Sequence, residues 1–115
     1  MFSGAHVVIY SKDAEADRKF FRDVLKFRSV DAGHGWLIFA LPPAEVAFHP
    51  AEENEVHELY FMCDDLKSTM EKLAKAHVKC AAVTEERWGH LTKITLPGGG
   101  HIGLYEPKHP TAVKC

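Results

Sequence analysis

The secondary-structure signals of this chain occur twice in the same order. Residues 6–10 (HVVIY) form a β-branched run that predicts a strand, and Asp13 then marks the start of a helix. A second strand candidate, residues 56–63 (VHELYFMC), contains Glu58 and leads to Asp65. The spacing from His6 to Asp13 is seven residues, and so is the spacing from Glu58 to Asp65. An internal repeat of this kind restricts the chain to folds built from two similar halves.

Each strand run is followed by a helix and by three further strand candidates. The helices carry apolar side chains at helical spacing, namely Phe20, Phe21, Val24 and Leu25 in the first half and Leu66, Met70, Leu73 and Ala74 in the second. The strand candidates are residues 29–31, 36–41 and 45–49 in the first half and 80–84, 90–96 and 101–105 in the second. We therefore predict two βαβββ modules, at residues 1–52 and 53–110, followed by a tail at 111–115.

Two βαβββ modules predict a single domain of the α+β class. Each module should form a curved four-stranded mixed sheet with its helix on the outer face, which leaves the concave face of the sheet uncovered. Two such sheets that face each other form a half-barrel around a cavity. Small molecules commonly bind in clefts of this kind.

The composition excludes several kinds of partner. The net charge is −2 over 115 residues and the basic residues are scattered, so neither nucleic acid nor an anionic membrane is expected. No apolar run approaches the roughly 20 residues of a membrane span, and the first residues lack the features of a secretory signal. The odd number of cysteines, Cys63, Cys80 and Cys115, without a CxxC pair indicates reduced thiols. We therefore expect a cytoplasmic location.

Four segments are notable for their order and spacing. They are residues 6–13 (HVVIYSKD), 20–27 (FFRDVLKF), 58–66 (ELYFMCDDL) and 96–107 (LPGGGHIGLYEP). With them the chain resembles the vicinal oxygen chelate superfamily, which includes glyoxalase I, bleomycin-resistance proteins and extradiol dioxygenases. Lys26 stands where the family usually has glycine. The resemblance covers essentially the whole chain. It implies the fold described above and a homodimer, since members commonly build each cavity from halves of one or two chains.

The resemblance also implies one divalent metal, such as Fe, Mn, Ni or Zn, held by the first and last strands of each module. The first-strand positions are His6 and Glu58, and both side chains can bind a metal. The last-strand positions are Ala47 and Gly103, which have no ligating side chain. Catalytic sites commonly use three protein ligands, so the sequence leaves open whether a metal binds or none does. The candidate substitutes, two residues along the same strands and on the same side, are His49 and His101.

We expect the cavity to be lined by the side chains that point to the same face of their sheets as His6 and Glu58. This lining is rich in aromatic groups and mostly apolar, and it comprises Val8, Tyr10, Ala47, Tyr60, Met62, Gly103 and Tyr105. Ala47 and Gly103 leave space in it, which favours a pocket for a small aromatic or hydrophobic ligand over a filled core. Trp36 and Trp88 fit either a wall of this pocket or a dimer interface.

The sequence therefore indicates a glyoxalase-like, bleomycin-resistance-like or dioxygenase-like protein with a small-molecule cavity, an incomplete metal site and an unassigned reaction. One alternative is a metal-dependent dioxygenase or glyoxalase-like lyase with a shifted ligand set, in which Tyr60 or Tyr105 orients the substrate. Another is a metal-free dimer that sequesters its ligand. A third alternative, with less support, is a module that serves mainly in oligomerisation.

Overall fold

The computed structural model of the chain describes residues 4–113, which form two helices and six strands. In chain order these are α1 (Ala14–Asp23), β1 (Ser29–Asp31), β2 (Leu37–Phe39), β3 (Tyr60–Met62), α2 (Leu66–Lys75), β4 (Thr84–Glu86), β5 (Gly89–Thr95) and β6 (His101–Pro107). Cys115 and the end of the predicted tail lie outside the described residues. No helix within residues 4–113 has the length and hydropathy needed to cross a bilayer.

Both helices begin where the sequence predicts, because an aspartate caps each N-terminus. The Asp13 carboxylate accepts a hydrogen bond from the backbone N–H of Ala16 at 3.1 Å. The Asp65 carboxylate accepts one from the backbone N–H of Ser68, also at 3.1 Å. Each bond satisfies an amide group that has no partner inside its own helix.

Four strands form one mixed sheet in the order β3-β6-β5-β4. Strand β3 runs parallel to β6, with Tyr60 opposite Gly103, and the other two pairs are antiparallel. Helix α2 carries the chain from β3, at one edge of the sheet, to β4 at the other. Strands β1 and β2 form a separate antiparallel hairpin. The predicted α+β class with a mixed sheet is therefore confirmed.

Two predicted strands, residues 6–10 and 45–49, are not paired with any other part of residues 4–113. Their apolar side chains are open to solvent, and the exposed fraction is 95% for Tyr10 and 92% for Phe48. A β-branched run becomes a strand only where a sheet edge offers partners to its backbone groups. Since the described chain folds no edge against either segment, the first half contributes a hairpin instead of the predicted four-stranded sheet.

The hydrophobic core lies between the helices and one face of the four-stranded sheet. Ile102 and Leu104, alternate residues of β6, are buried in the same cluster as residues of α1 and α2. Phe21 of α1 extends this cluster, because its ring centroid lies 5.5 Å from that of Phe39 and 6.2 Å from that of Phe61. Helix α1 of the first half thus packs against the sheet of the second half.

Candidate functional site

The face of the four-stranded sheet opposite the helices, which we call the open face, carries several of the predicted lining residues. On β6, Gly103 and Tyr105 alternate with the core residues and therefore point away from the helices. On β3, Tyr60 is the Cα partner of Gly103, and Met62 is the partner of Tyr105. Paired residues share a face, so these four positions lie together, as their parity predicts.

Three aromatic rings of Tyr60, Trp88 and Tyr105 form a cluster on the open face, which we call the aromatic trio. The centroids of Tyr60 and Trp88 are 6.2 Å apart, those of Tyr60 and Tyr105 are 5.8 Å apart, and those of Trp88 and Tyr105 are 5.3 Å apart. The interplanar angles are 88°, 88° and 79°, so each pair meets edge to face. This is a favourable geometry for aromatic rings because the positive edge of one meets the negative face of the other.

The position of Trp88 depends on the hairpin between β4 and β5. Glu86 pairs with Gly89, so Arg87 and Trp88 form a two-residue turn. A Cβ atom on Gly89 would lie 2.6 Å from the carbonyl oxygen of Glu106 and 3.1 Å from Tyr105 Cδ2. Glycine is therefore needed for the close approach that brings Trp88 beside Tyr105. The sequence indicates that Trp88 lies at a strand or a turn, but it does not specify which surface of the protein its ring contacts.

The phenol groups of the trio have polar neighbours. The Tyr60 hydroxyl donates to Glu58 Oε2 at 3.4 Å, and the Tyr105 hydroxyl lies 3.1 Å from His109 Nε2. Burial raises the pKa of Tyr60, and the nearby charge of Glu58 adds to this effect. Burial also raises the pKa of Tyr105, with a smaller contribution from Glu45. Both phenols therefore stay protonated at neutral pH and can donate or accept hydrogen bonds.

The other predicted lining residues lie apart from the trio. Val8 and Tyr10 belong to the unpaired segment 6–10, and Ala47 belongs to the unpaired segment 45–49. All three are exposed, and Val8 has an exposed fraction of 64%. A single described chain therefore brings together the lining residues of the second half only, and the role of these three in a pocket stays a prediction.

The space expected over Gly103 is occupied by the side chain of Tyr60. A Cβ atom built on Gly103 overlaps carbons of the Tyr60 ring and would lie 2.8 Å from Cγ. Gly103 therefore makes room for its neighbour on β3, and it does not open a cavity at that point.

The residues implied as metal ligands belong to no group of three potential ligands within residues 4–113. His6 and Glu58 are both exposed, and Glu58 accepts the Tyr60 hydroxyl. Of the substitutes, His49 Nδ1 lies 2.7 Å from the Pro50 carbonyl oxygen, and His101 is exposed at the start of β6. Within the described part of the chain, no three His, Cys, Asp or Glu side chains are placed to hold a metal ion. Residues 4–113 of a single chain therefore do not form the ligand set that the resemblance implies, and the metal ligands stay a prediction.

A separate cleft of about 580 Å³ lies on the helix side of the sheet. Met70 of α2, Val83 and His90 of β5 are among its lining residues. Glu106 also lines it, and its Oε1 accepts the backbone N–H of Leu66 at 2.9 Å. Glu106 thus points away from Gly103, as expected for a regular β6. None of the predicted lining residues borders this cleft.

The comparisons with known proteins agree with the fold. Residues 4–108 match the family model described as the Glyoxalase/Bleomycin resistance protein/Dioxygenase superfamily. No curated protein matches the sequence. Among solved structures, the antibiotic binding protein TnmS3 from Streptomyces sp. CB03234 is 22% identical, with a TM-score of 0.63, and the match covers 94% of this chain and 100% of that one.

Two further structures have the same fold. The lactoylglutathione lyase from Agrobacterium tumefaciens is 17% identical, with a TM-score of 0.60 and coverage of 90% of this chain and 93% of that one. The glyoxalase family protein from Enterococcus faecalis is 17% identical, with a TM-score of 0.63, and the match covers 91% of this chain and 98% of that one. At these identities the likeness concerns the fold alone.

Proposed function

Because the chain belongs to the Glyoxalase/Bleomycin resistance protein/Dioxygenase superfamily, we propose that it is a metal-independent binding protein that holds a small aromatic molecule against the aromatic trio. The observation that carries this proposal is the packing of three rings, edge to face, on the one sheet face that no helix covers. Binding of a small molecule by the similar antibiotic binding protein TnmS3 is consistent with it. The chemistry of the implied ligand positions supports it as well, since Ala47 and Gly103 have no ligating side chain.

The trio offers both surface and polar groups to such a ligand. Trp88 keeps 39% of its surface exposed, so its ring is available for stacking. The two phenols stay protonated because burial raises their pKa, and they can exchange hydrogen bonds with a polar substituent of the ligand. Large aromatic surfaces with a few polar groups are typical of small-molecule sites.

We propose that a second copy of the chain completes the pocket. Residues 6–10 and 45–49 have the composition of strands, yet their apolar side chains are exposed in a single chain. Strand β3, which contains Tyr60 of the trio, is at the edge of its sheet, and no strand within residues 4–113 pairs with its outer side. A homodimer would give the exposed segments a partner and cover the open face. The reduced cysteines support the cytoplasm as the location, and Cys63 and Cys80 are free thiols.

Ligand binding can be tested through Trp88, because the chain has two tryptophans. In a Trp36→Phe background, Trp88 fluorescence reports on the trio alone, and saturation-transfer NMR with a library of mono- and bicyclic aromatic compounds supplies the probes. We expect at least one compound to bind and to change Trp88 emission. Trp88→Ala should then weaken its binding by about tenfold or more, as measured by the NMR signal. Val30→Ala, an exposed position on β1, is the matched control. The proposal is wrong if no compound binds, or if Trp88→Ala binds as tightly as the control.

Metal content gives an independent test of metal independence. We expect elemental analysis of protein purified without a His-tag to show far less than one Fe, Mn, Ni or Zn per chain. Near-stoichiometric metal that disappears in a His6→Ala variant would contradict the proposal and support the enzyme alternative.

Sedimentation velocity tests the homodimer. We expect a dimer at micromolar concentration, and Phe48→Asp should shift it toward monomer because a charge would enter the covered surface. A monomer for the unmodified chain under these conditions would refute the proposed assembly.

A further inference from the structure

Position 103 is occupied by glycine for a steric reason. Gly103 is buried in the middle of β6, and it is absent from the glycines with positive φ, which are Gly33, Gly35 and Gly99. Its backbone conformation is therefore open to any residue. What excludes a side chain is the Tyr60 ring, because a Cβ atom at 103 would overlap it.

The Tyr60 ring is held in this place from its other sides. Its neighbours in the aromatic trio meet it edge to face, with centroids 5.8 Å and 6.2 Å away. Its hydroxyl donates to Glu58 Oε2 at 3.4 Å. Movement of the ring away from Gly103 would break these contacts, so Tyr60 and Gly103 act as a complementary pair.

Tyr60 thus contacts both Glu58 and Gly103, the two positions of the second half at which the resemblance implies metal ligands. The hydroxyl of Tyr60 engages Glu58, and its ring covers Gly103. On β5, Lys93 is the Cα partner of Gly103 and lies on the same face, so its side chain adds a positive charge to the open face. The hydrogen bond to Glu58, the ring over Gly103 and the charge of Lys93 all disfavour the binding of a divalent cation at this point.

We infer that Tyr60 is the specificity-determining residue of the open face. Its ring takes the space that an acidic side chain at position 103 would need, and it provides an aromatic floor for an organic ligand in place of a metal ligand. The inference rests on the proposed metal-independent function, but it makes a separate claim about which residue excludes the cation.

The first test measures Mn²⁺ binding by electron paramagnetic resonance, since carboxylates suit this ion. All variants carry Lys93→Ala, so that an introduced carboxylate is not neutralised by the neighbouring ammonium group. We expect Gly103→Glu alone to bind Mn²⁺ no more tightly than the parent. Adding Tyr60→Ala should raise the Mn²⁺ affinity at least about tenfold, because the ring no longer occupies the space. Equal Mn²⁺ affinity with and without Tyr60 would overturn the inference.

The second test remains informative if the charged variants fold poorly. Gly103→Ala should lower the melting temperature when Tyr60 is present, and it should have little effect in a Tyr60→Ala background, because the clash is then absent. Additive effects of the two substitutions would overturn the inference. Loss of aromatic-probe binding in the Trp88→Ala variant tests the proposed function alone, so the failure of one claim can be distinguished from the failure of the other.

Discussion

Helix α2 ends in a backbone conformation that favours glycine, but the residue at that position is His77. Its φ is 63°, in the left-handed region. The N–H of His77 donates to the Ala74 carbonyl at 3.0 Å, and the N–H of Val78 donates to the Leu73 carbonyl at 2.9 Å. This pair of bonds is the Schellman motif that closes many helices. Because Val78 is buried in the core, the chain cannot leave this conformation without losing packing.

We expect His77→Gly to raise the free energy of unfolding by about 0.5–1 kcal/mol. A residue with a Cβ atom costs about 1–2 kcal/mol in the left-handed region, and glycine avoids this cost. The greater conformational freedom of glycine in the unfolded chain reduces this stabilisation by about 0.5–1 kcal/mol. For a chain of 115 residues, the net gain corresponds to a rise of about 2–4 °C in melting temperature.

Urea unfolding followed by tryptophan fluorescence can measure this change, at one fixed protein concentration because association would add to the apparent stability. His77→Ala is the matched control, since it removes the imidazole but keeps the Cβ atom. The control should stay within about 0.5 kcal/mol of the unmodified chain. If His77→Gly is no more stable than His77→Ala, the reasoning from backbone strain is refuted. Lys26, with a φ of 62° after helix α1, should respond to glycine in the same direction.

Three further predictions concern the core, an ion pair and the thiols. Ile102→Ala should lower the free energy of unfolding by about 3 kcal/mol in urea titrations, because Ile102 is only 2% exposed in the core. Lys108→Ala should raise the pKa of Glu85 toward its ordinary value in an NMR titration, because the hydrogen bond from Lys108 at 2.6 Å lowers it. The lowered pKa means that this contact stabilises the fold above the pKa of the unfolded chain and is lost as the pH falls. Burial raises the pKa of Cys63 and of Cys80, so mass spectrometry should show slower alkylation by iodoacetamide than for free cysteine at pH 8.

Local signals predicted α2, β5 and β6 well, whereas the strand expected at residues 80–84 forms at Thr84–Glu86. Asp65 marks the start of α2 because a carboxylate at that point can cap the helix, and this bond needs no distant partner. The alternation along β6 placed Gly103 and Tyr105 on one face and the core residues on the other, because a strand has a period of two. The position of Tyr60 on the same face followed from the same rule.

The first half shows where such signals are insufficient. Residues 6–10 contain three β-branched side chains and residues 56–63, which lead into β3, contain only one, yet only the second run is paired. A strand is stabilised by the neighbour it pairs with, and the sequence of the strand does not specify whether that neighbour is present. The prediction of a complete sheet in the first half therefore failed for a single chain.

The sequence by itself determined the helices, the parity of the strands and the absence of ligating side chains at positions 47 and 103. These properties depend on single residues or on near neighbours along the chain. Only the tertiary structure decided that the Tyr60 ring fills the space over Gly103 and that Trp88 joins Tyr105 on the open face. Both features join residues more than 15 positions apart in the sequence. They arise because pairing of the strands brings distant side chains within contact distance, and parity specifies the face of a side chain but not its neighbours.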